Sequence, residues 1–230
     1  IRAAKHHLHV EFYIIDNDKI GNEFKDLLIE KAKEGVEVRF CFDDVGSRKL
    51  PQKFINELKA AGVEVYTFMP VFFPYLTGKA NFRNHRKIVV VDGAVGYLGG
   101  INIADRYTNR IPQHKYWRDT QLRIYGDAVK TLQQQFMLNW NFVSGKQLLI
   151  NELYFPEIHA NQNHLVQIAA AGPDSDWPTI LQGMLMAINT AEEYVYITTP
   201  YFIPSEEVVI ALQTAALSGV DVQVLIPKHG

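Results

Sequence analysis

The 230-residue sequence has a single cysteine, Cys41, which excludes an internal disulfide. Its setting, Val38-Arg39-Phe40-Cys41-Phe42, reads as a buried strand and so predicts a structural thiol, which suits a reducing compartment. An excess of charge of either sign is also missing. The 23 Lys and Arg against 25 Asp and Glu give a formal net charge of −2, which argues against the broad electropositive surface that nucleic-acid binding draws on. A local basic pocket is compatible with that balance. No uninterrupted apolar run approaches the roughly 20 residues of a membrane helix, and Ile1-Arg2-Ala3-Ala4-Lys5 lacks the form of a signal peptide. The chain as given is expected to be soluble, or to lie against a membrane without spanning it. A metal-ligand set is lacking too: His6, His7 and His9 are close together without further ligands, and they read as surface or edge-strand histidines.

What is present is an ordinary globular composition, 47% hydrophobic and 21% charged, in a chain long enough for a substantial core. Residues 8–15 alternate like a strand, and Asp16-Asn17-Asp18 supplies turn and helix-capping chemistry. Phe24, Leu27, Leu28 and Ala32 recur at helical spacing between Ile20 and Lys33, and Gly35 ends that helix. A strand over 36–42, a helix over 51–60 and a strand over 63–68 follow. Farther on, a strand over 119–125 precedes a helix over 128–142 that carries Leu132, Phe136 and Trp140 along one face, with Phe142 also expected in the core. The alternation predicts an α/β fold, with a largely parallel or mixed sheet flanked by helices. The proline-rich, apolar stretch 68–76 is a loop, either a lip for an apolar substrate chain or a segment folded onto the core.

Residues 1–146 read as one repeat, 147–163 as a polar linker and 164–230 as the start of a second repeat. At a constant offset of 184 residues, Phe12 aligns with Tyr196, Ile20 with Pro204, Leu28 with Leu212 and Ala32 with Ala216; Gly35-Val36 and Val38 then align with Gly219-Val220 and Val222. A new strand, helix and strand are expected from near His164.

The densest chemistry lies in Asn84-His85-Arg86-Lys87-Ile88-Val89-Val90-Val91-Asp92-Gly93 and Gly99-Gly100-Ile101-Asn102. A strand over 86–91 puts His85 and Lys87 on one face and Asp92 on the other. Asp92-Gly93 is a hairpin-turn signal, so Asp92 is expected to be structural. Gly99-Gly100 allows close approach to the backbone, with N–H groups available to an anion. An imidazole, an ammonium group and the Asn102 amide together suit nucleophilic attack on a phosphodiester, His85 attacking phosphorus while Lys87 and Asn102 stabilise the developing charge. Asp119, at the start of the next predicted strand, is the candidate acid to orient His85; a solvated surface aspartate is the alternative reading.

The pattern His85-x-Lys87-x4-Asp92-x6-Gly99-Gly100-x-Asn102 resembles, without a break, the HKD motif of the phospholipase D superfamily. The stretches 81–87 and 99–105 look most like bacterial cardiolipin synthases. Glu11-Phe12-Tyr13-Ile14, Trp117-Arg118-Asp119 and Thr199-Pro200-Tyr201-Phe202-Ile203-Pro204 extend the likeness over nearly the whole chain. The resemblance implies two HKD repeats with pseudo-twofold symmetry. One histidine attacks phosphorus and the other acts as general acid and then base, with no metal or cofactor. It further implies His85, Lys87 and Asn102, with Gly100 beside them, as phosphate-site residues, and Asp119 as the orienting acid.

The implied reaction passes a phosphatidyl group between phospholipids, phosphatidylglycerol being the expected substrate, at a membrane surface and on its cytoplasmic face. The second HKD motif is expected at about position 269, beyond Gly230, so the chain reads as a fragment with half an active site. The alternatives are a phosphodiesterase or nuclease that completes its site as a homodimer, and a noncatalytic phosphate- or lipid-binding module. His114 reads as solvated or cleft-lining, and Arg83 and Arg106 as solvated charges or contacts for lipid phosphates.

Overall fold

Strand β1 (His7–Phe12) is the inner strand on which the first part of the chain is built. In this computed structural model, which describes residues 1–70, 82–112, 116–158, 164–172 and 175–228, every residue of β1 is buried. Two compact units are present, Ile1–Ile168 and Ala169–Gly230.

In the first unit β1 is followed by α1 (Lys19–Lys33), β2 (Glu37–Asp43), α2 (Gln52–Ala60) and β3 (Glu64–Phe68). Then come β4 (Ile88–Val91), β5 (Val95–Gly99), β6 (Gln121–Tyr125) and α3 (Ala128–Ser144). The six strands form one sheet in the order β3-β2-β1-β4-β5-β6. β1, β2 and β3 are mutually parallel, whereas β4, β5 and β6 add as an antiparallel meander. The sheet is therefore mixed, because the short Asp92-Gly93 turn can join only antiparallel neighbours while α1 and α2 supply parallel crossovers.

Period-two geometry divides β1 into two faces. Leu8, Val10 and Phe12 join Phe24, Leu28, Phe40, Phe54 and Leu58 in the core shared with α1 and α2. On the other side, α3 lays Val129 and Leu132 against Ile88 and Val90, and Phe136 and Trp140 against Cys41. Each such fully buried large side chain contributes about 1.5–3 kcal/mol relative to its exposed state. Phe142 is the exception to the expected apolar face of α3, being 60% exposed beside Phe68.

His7 and His9 correct the reading of surface histidines: they are 1% and 0% exposed. β1 is an inner strand with both faces covered, so the residues opposite Leu8 and Val10 are buried as well. His9 Nδ1 lies 2.7 Å from the Gln133 amide and Nε2 3.2 Å from the Arg39 guanidinium, and its ring stacks on Phe136. Neither His7 ring nitrogen has a hydrogen-bond partner among the described residues.

The turn after β4 carries positive φ at both Asp92 (53°) and Gly93 (63°) and is closed by the Ala94 N–H donating to the Val91 carbonyl, with three residues, 92–94, between the paired Val91 and Val95. The Asp92 carboxylate accepts hydrogen bonds from the backbone N–H groups of Lys5 (2.9 Å), His6 (2.8 Å) and His7 (3.0 Å). Burial alone would raise its pKa, but these three donors hold it below the ordinary value. Asp92→Ala strips the donors of a charged acceptor and is expected to cost about 3 kcal/mol, measured by urea unfolding of the chain. An unchanged midpoint would contradict the structural role.

Asp18 caps α1, accepting from Gly21 N at 3.0 Å, and is joined by an unanticipated partner, Asp105. The Asp105 carboxylate accepts from Lys19 N and Ile20 N, and the Asp105 N–H donates to Asp18 Oδ2 at 2.6 Å. Two carboxylates thus sit on the positive end of α1.

The second unit contains α4 (Thr179–Asn189), β7 (Tyr194–Thr198), α5 (Glu206–Leu217) and β8 (Asp221–Leu225), with β7 and β8 parallel. Residues 164–172 form no strand, contrary to expectation. Gly35 and Gly219 both end their helices at positive φ. Val36 N bonds to Lys31 O and Val220 N to Ala215 O, which preserves the offset of 184. The first strands do not preserve it. His7 pairs with Glu37, whereas Tyr194 pairs with Asp221, three positions closer in sequence. The helix accounts for the difference, α1 running 15 residues and α5 12, and Tyr196 is not the register equivalent of Phe12.

Candidate active site

The topology brings the motif residues to one end of the sheet. β1 and β2 finish there, antiparallel β4 begins there, β5 ends there and β6 begins there. The predicted strand over 86–91 starts only at Ile88, so His85 and Lys87 lie just before the ladder. Likewise β6 starts at Gln121 and leaves Asp119 in the connection.

His85 is exposed, and its ring stacks on Tyr13 with centroids 3.7 Å apart and planes 27° from parallel. Lys87 is buried; its Nζ donates to the His85 carbonyl at 2.5 Å and lies 5.4 Å from the Tyr13 ring centroid. Asn102, 9% exposed, accepts from Ile14 N at 3.0 Å through Oδ1, which leaves its amide nitrogen to donate. Ile103 continues this anchoring by exchanging backbone hydrogen bonds with Ile14 and Asp16. Tyr13, Ile14 and Asn102 are therefore fixed along one edge, beside His85 and Lys87.

Partial desolvation lowers the His85 pKa from its ordinary value, the Lys87 ammonium adds to that, and the Asp43 carboxylate acts the other way. The ring is consequently neutral at pH 7, the form needed for nucleophilic attack. Burial also lowers Lys87, and Asp119 opposes that change. Asp43 is the carboxylate whose charge acts on His85. Asp119 acts on Lys87 and accepts hydrogen bonds from Trp117 Nε1 (3.3 Å) and Thr120 N (2.7 Å). Among the described residues Asp119 makes no hydrogen bond to His85.

Gly100 also departs from expectation. Its N–H donates to the Thr120 carbonyl at 3.1 Å and is not available to an anion. The glycine provides room: a Cβ there would lie 2.1 Å from Asp119 Oδ1. Gly99 is similarly crowded by Thr120 and Gln121. Arg83 is mostly buried, 3.6 Å from Asp43, and Arg106 pairs with Asp16, so neither is simply solvated. Tyr13, Asp43 and Glu11 were missed as site residues. Their signal in the sequence is position, at or beside the ends of β1 and β2. His114 and residues 71–76 of the apolar loop lie outside the described residues. No grouping of three or more metal-ligating side chains occurs among the described residues.

A mixed α/β sheet that gathers a histidine, a lysine and an asparagine at one end in this way has the phospholipase D-like fold. The family described as cardiolipin synthase, PLD-like domain, matches residues 1–140 and 184–230, and the chain belongs to it. Cardiolipin synthase of Geobacillus sp. (strain WCH70) is 47% identical over 230 residues, covering all of this chain and 46% of that protein. Cardiolipin synthase 2 of Bacillus cereus (strain ATCC 14579) is 46% identical over 229 residues, covering 99% of this chain and 45% of that protein. The chain spans a little under half the length of these curated relatives. Among solved structures, phosphatidylserine synthase of Haemophilus influenzae Rd KW20 covers 98% of this chain and 57% of its own, with a TM-score of 0.67 at 15% identity, a likeness of fold.

Proposed function

We propose that the full-length protein transfers a phosphatidyl group between phospholipids, forming cardiolipin, and that this chain supplies one wall of its active site. The carrying observation is the neutral, exposed His85 ring beside the Lys87 ammonium and the Asn102 amide, in a chain 47% identical to a cardiolipin synthase. Residues 1–146 form the first repeat, 147–163 the linker and 164–230 the start of the second. With phosphatidylglycerol as donor, one histidine of the pair attacks phosphorus and the bond from phosphorus to the glycerol oxygen breaks. The second histidine protonates the departing glycerol. That same group then takes the proton from the hydroxyl of a second phosphatidylglycerol, whose oxygen displaces the histidine from phosphorus.

Lys87 and Asn102 stabilise the charge on the nonbridging oxygens, and Asp119 supports the protonated state of Lys87. The substrate is a lipid, so the full-length protein works at a membrane, on its cytoplasmic face. Among the described residues no helix is long and apolar enough to cross a membrane.

The test is incubation of the full-length protein with phosphatidylglycerol vesicles. Cardiolipin and glycerol in equal amounts are expected. Phosphatidic acid in place of cardiolipin would move the reaction to hydrolysis and overturn the transfer reading.

A further inference from the structure

The segment that carries His85 has no ladder to hold it. Residues 82–87 precede β4 and pair with no strand, so the position of the ring depends on side chains. The residue before it, Asn84, is 4% exposed and is gripped on two sides. Its Nδ2 donates to Glu11 Oε1, and its backbone N–H donates to Asp43 Oδ2 at 3.0 Å. Its own Oδ1 accepts from Arg86 N at 3.1 Å, which also fixes the residue after the histidine.

Glu11 is the unusual member of this set. It lies on the α3 side of β1 at 0% exposure, a place where an apolar residue would pack at less cost. Both its oxygens are used: Asn139 Nδ2, from α3, donates to Oε1 at 2.8 Å and to Oε2 at 3.0 Å. Both of these partners are donors, and both meet Oε1, with Asn139 reaching Oε2 as well. Asp43, also at 0% exposure, receives Val45 N and Gly46 N in addition to Asn84 N.

We propose that Glu11 is a positioning residue for His85, acting through Asn84 from the buried side of β1, with Asp43 as the second jaw of the same clamp. It does not reach the reacting atoms; it sets the entry angle of the segment so that the imidazole rests on Tyr13. This inference rests on His85 being the reacting group of the proposed function. A carboxylate accepts on both oxygens, whereas glutamine at this position keeps a single acceptor and turns an NH2 group towards the Asn139 amide or, flipped, towards both amide donors.

The test follows the His85 ring in the chain by histidine-labelled NMR, in the wild type, Glu11→Gln and Asn84→Ala. In both variants the contact between the His85 and Tyr13 rings is expected to be lost, and the imidazole midpoint to rise towards its ordinary value. In the full-length protein the same changes are expected to lower kcat about 10²-fold with KM nearly constant. A His85 ring that keeps its Tyr13 contact and its midpoint in both variants would overturn the proposal. If Glu11→Gln does not fold, Asn84→Ala, which lies outside the sheet and leaves Glu11 its two bonds from Asn139, decides the question. The NMR readout needs no turnover. A wild-type protein without transfer activity would therefore sink the proposed function and leave this inference to be judged separately.

Discussion

Replacement of His85 by alanine in the full-length protein is expected to lower cardiolipin formation on the order of 10⁴-fold, with little change in folding stability. The ring is exposed and stacks on Tyr13, so its removal opens no core cavity. The change removes either the nucleophile or the group that manages the proton. Lys87 and Asn102 remain to bind and polarise a phosphodiester, so lipid association should persist while turnover fails. Cardiolipin measured by mass spectrometry, normalised to folded protein, checks this. Near-wild-type formation would remove His85 from the chemistry altogether.

The second large effect is loss of stability in mild acid. His7 has its pKa lowered to about 4, and His9 lies well below the ordinary value, in both cases because burial disfavours the charged ring. The unfolded chain therefore takes up protons first. Stability is full above about pH 6.5 and falls as the pH drops below it, His7 ceasing to contribute to the slope below about 4. His7 alone accounts for about 3 kcal/mol across that window, and His9 acts in the same direction. Urea unfolding at pH 7.5 and pH 5 should show the decline, and His7→Leu should reduce it. Equal stability at the two pH values would mean that both rings charge within the folded state. The Asp92 carboxylate, held below its ordinary pKa, stays ionised over this range and cannot produce the effect.

The order of elements was legible because period-two runs, helical spacing and glycine stops are local signals, as at Gly35 and in the Asp92-Gly93 turn. The HKD residues were legible for the same reason, their spacing being fixed within one hairpin. His7, His9 and Glu11 were not. Their neighbours on β1 are apolar, but their own partners come from Arg39, Gln133, Asn84 and Asn139, which no local pattern associates with them. The influence of Asp43 on His85 was hidden likewise, since two separate strand ends must meet before that charge matters. The use of the Gly100 N–H depended on the pairing of β5 with β6, which is not specified by two adjacent glycines. The shorter helix α5 escaped the repeat alignment because the stronger helix-Gly-Val match set a single offset for both strands.

The clasp between Asp18 and Asp105 bears on the order of events in folding. It joins residues 87 apart, and Ile14 meets Asn102 across 88. Closing loops of that length is slow compared with winding α1 or forming the β4–β5 hairpin. A refolding intermediate can therefore hold both local elements and still lack a phosphate pocket. Asn102 reaches its station only when the long loop closes, which makes the competent site a late product of folding and not a local property of its motif.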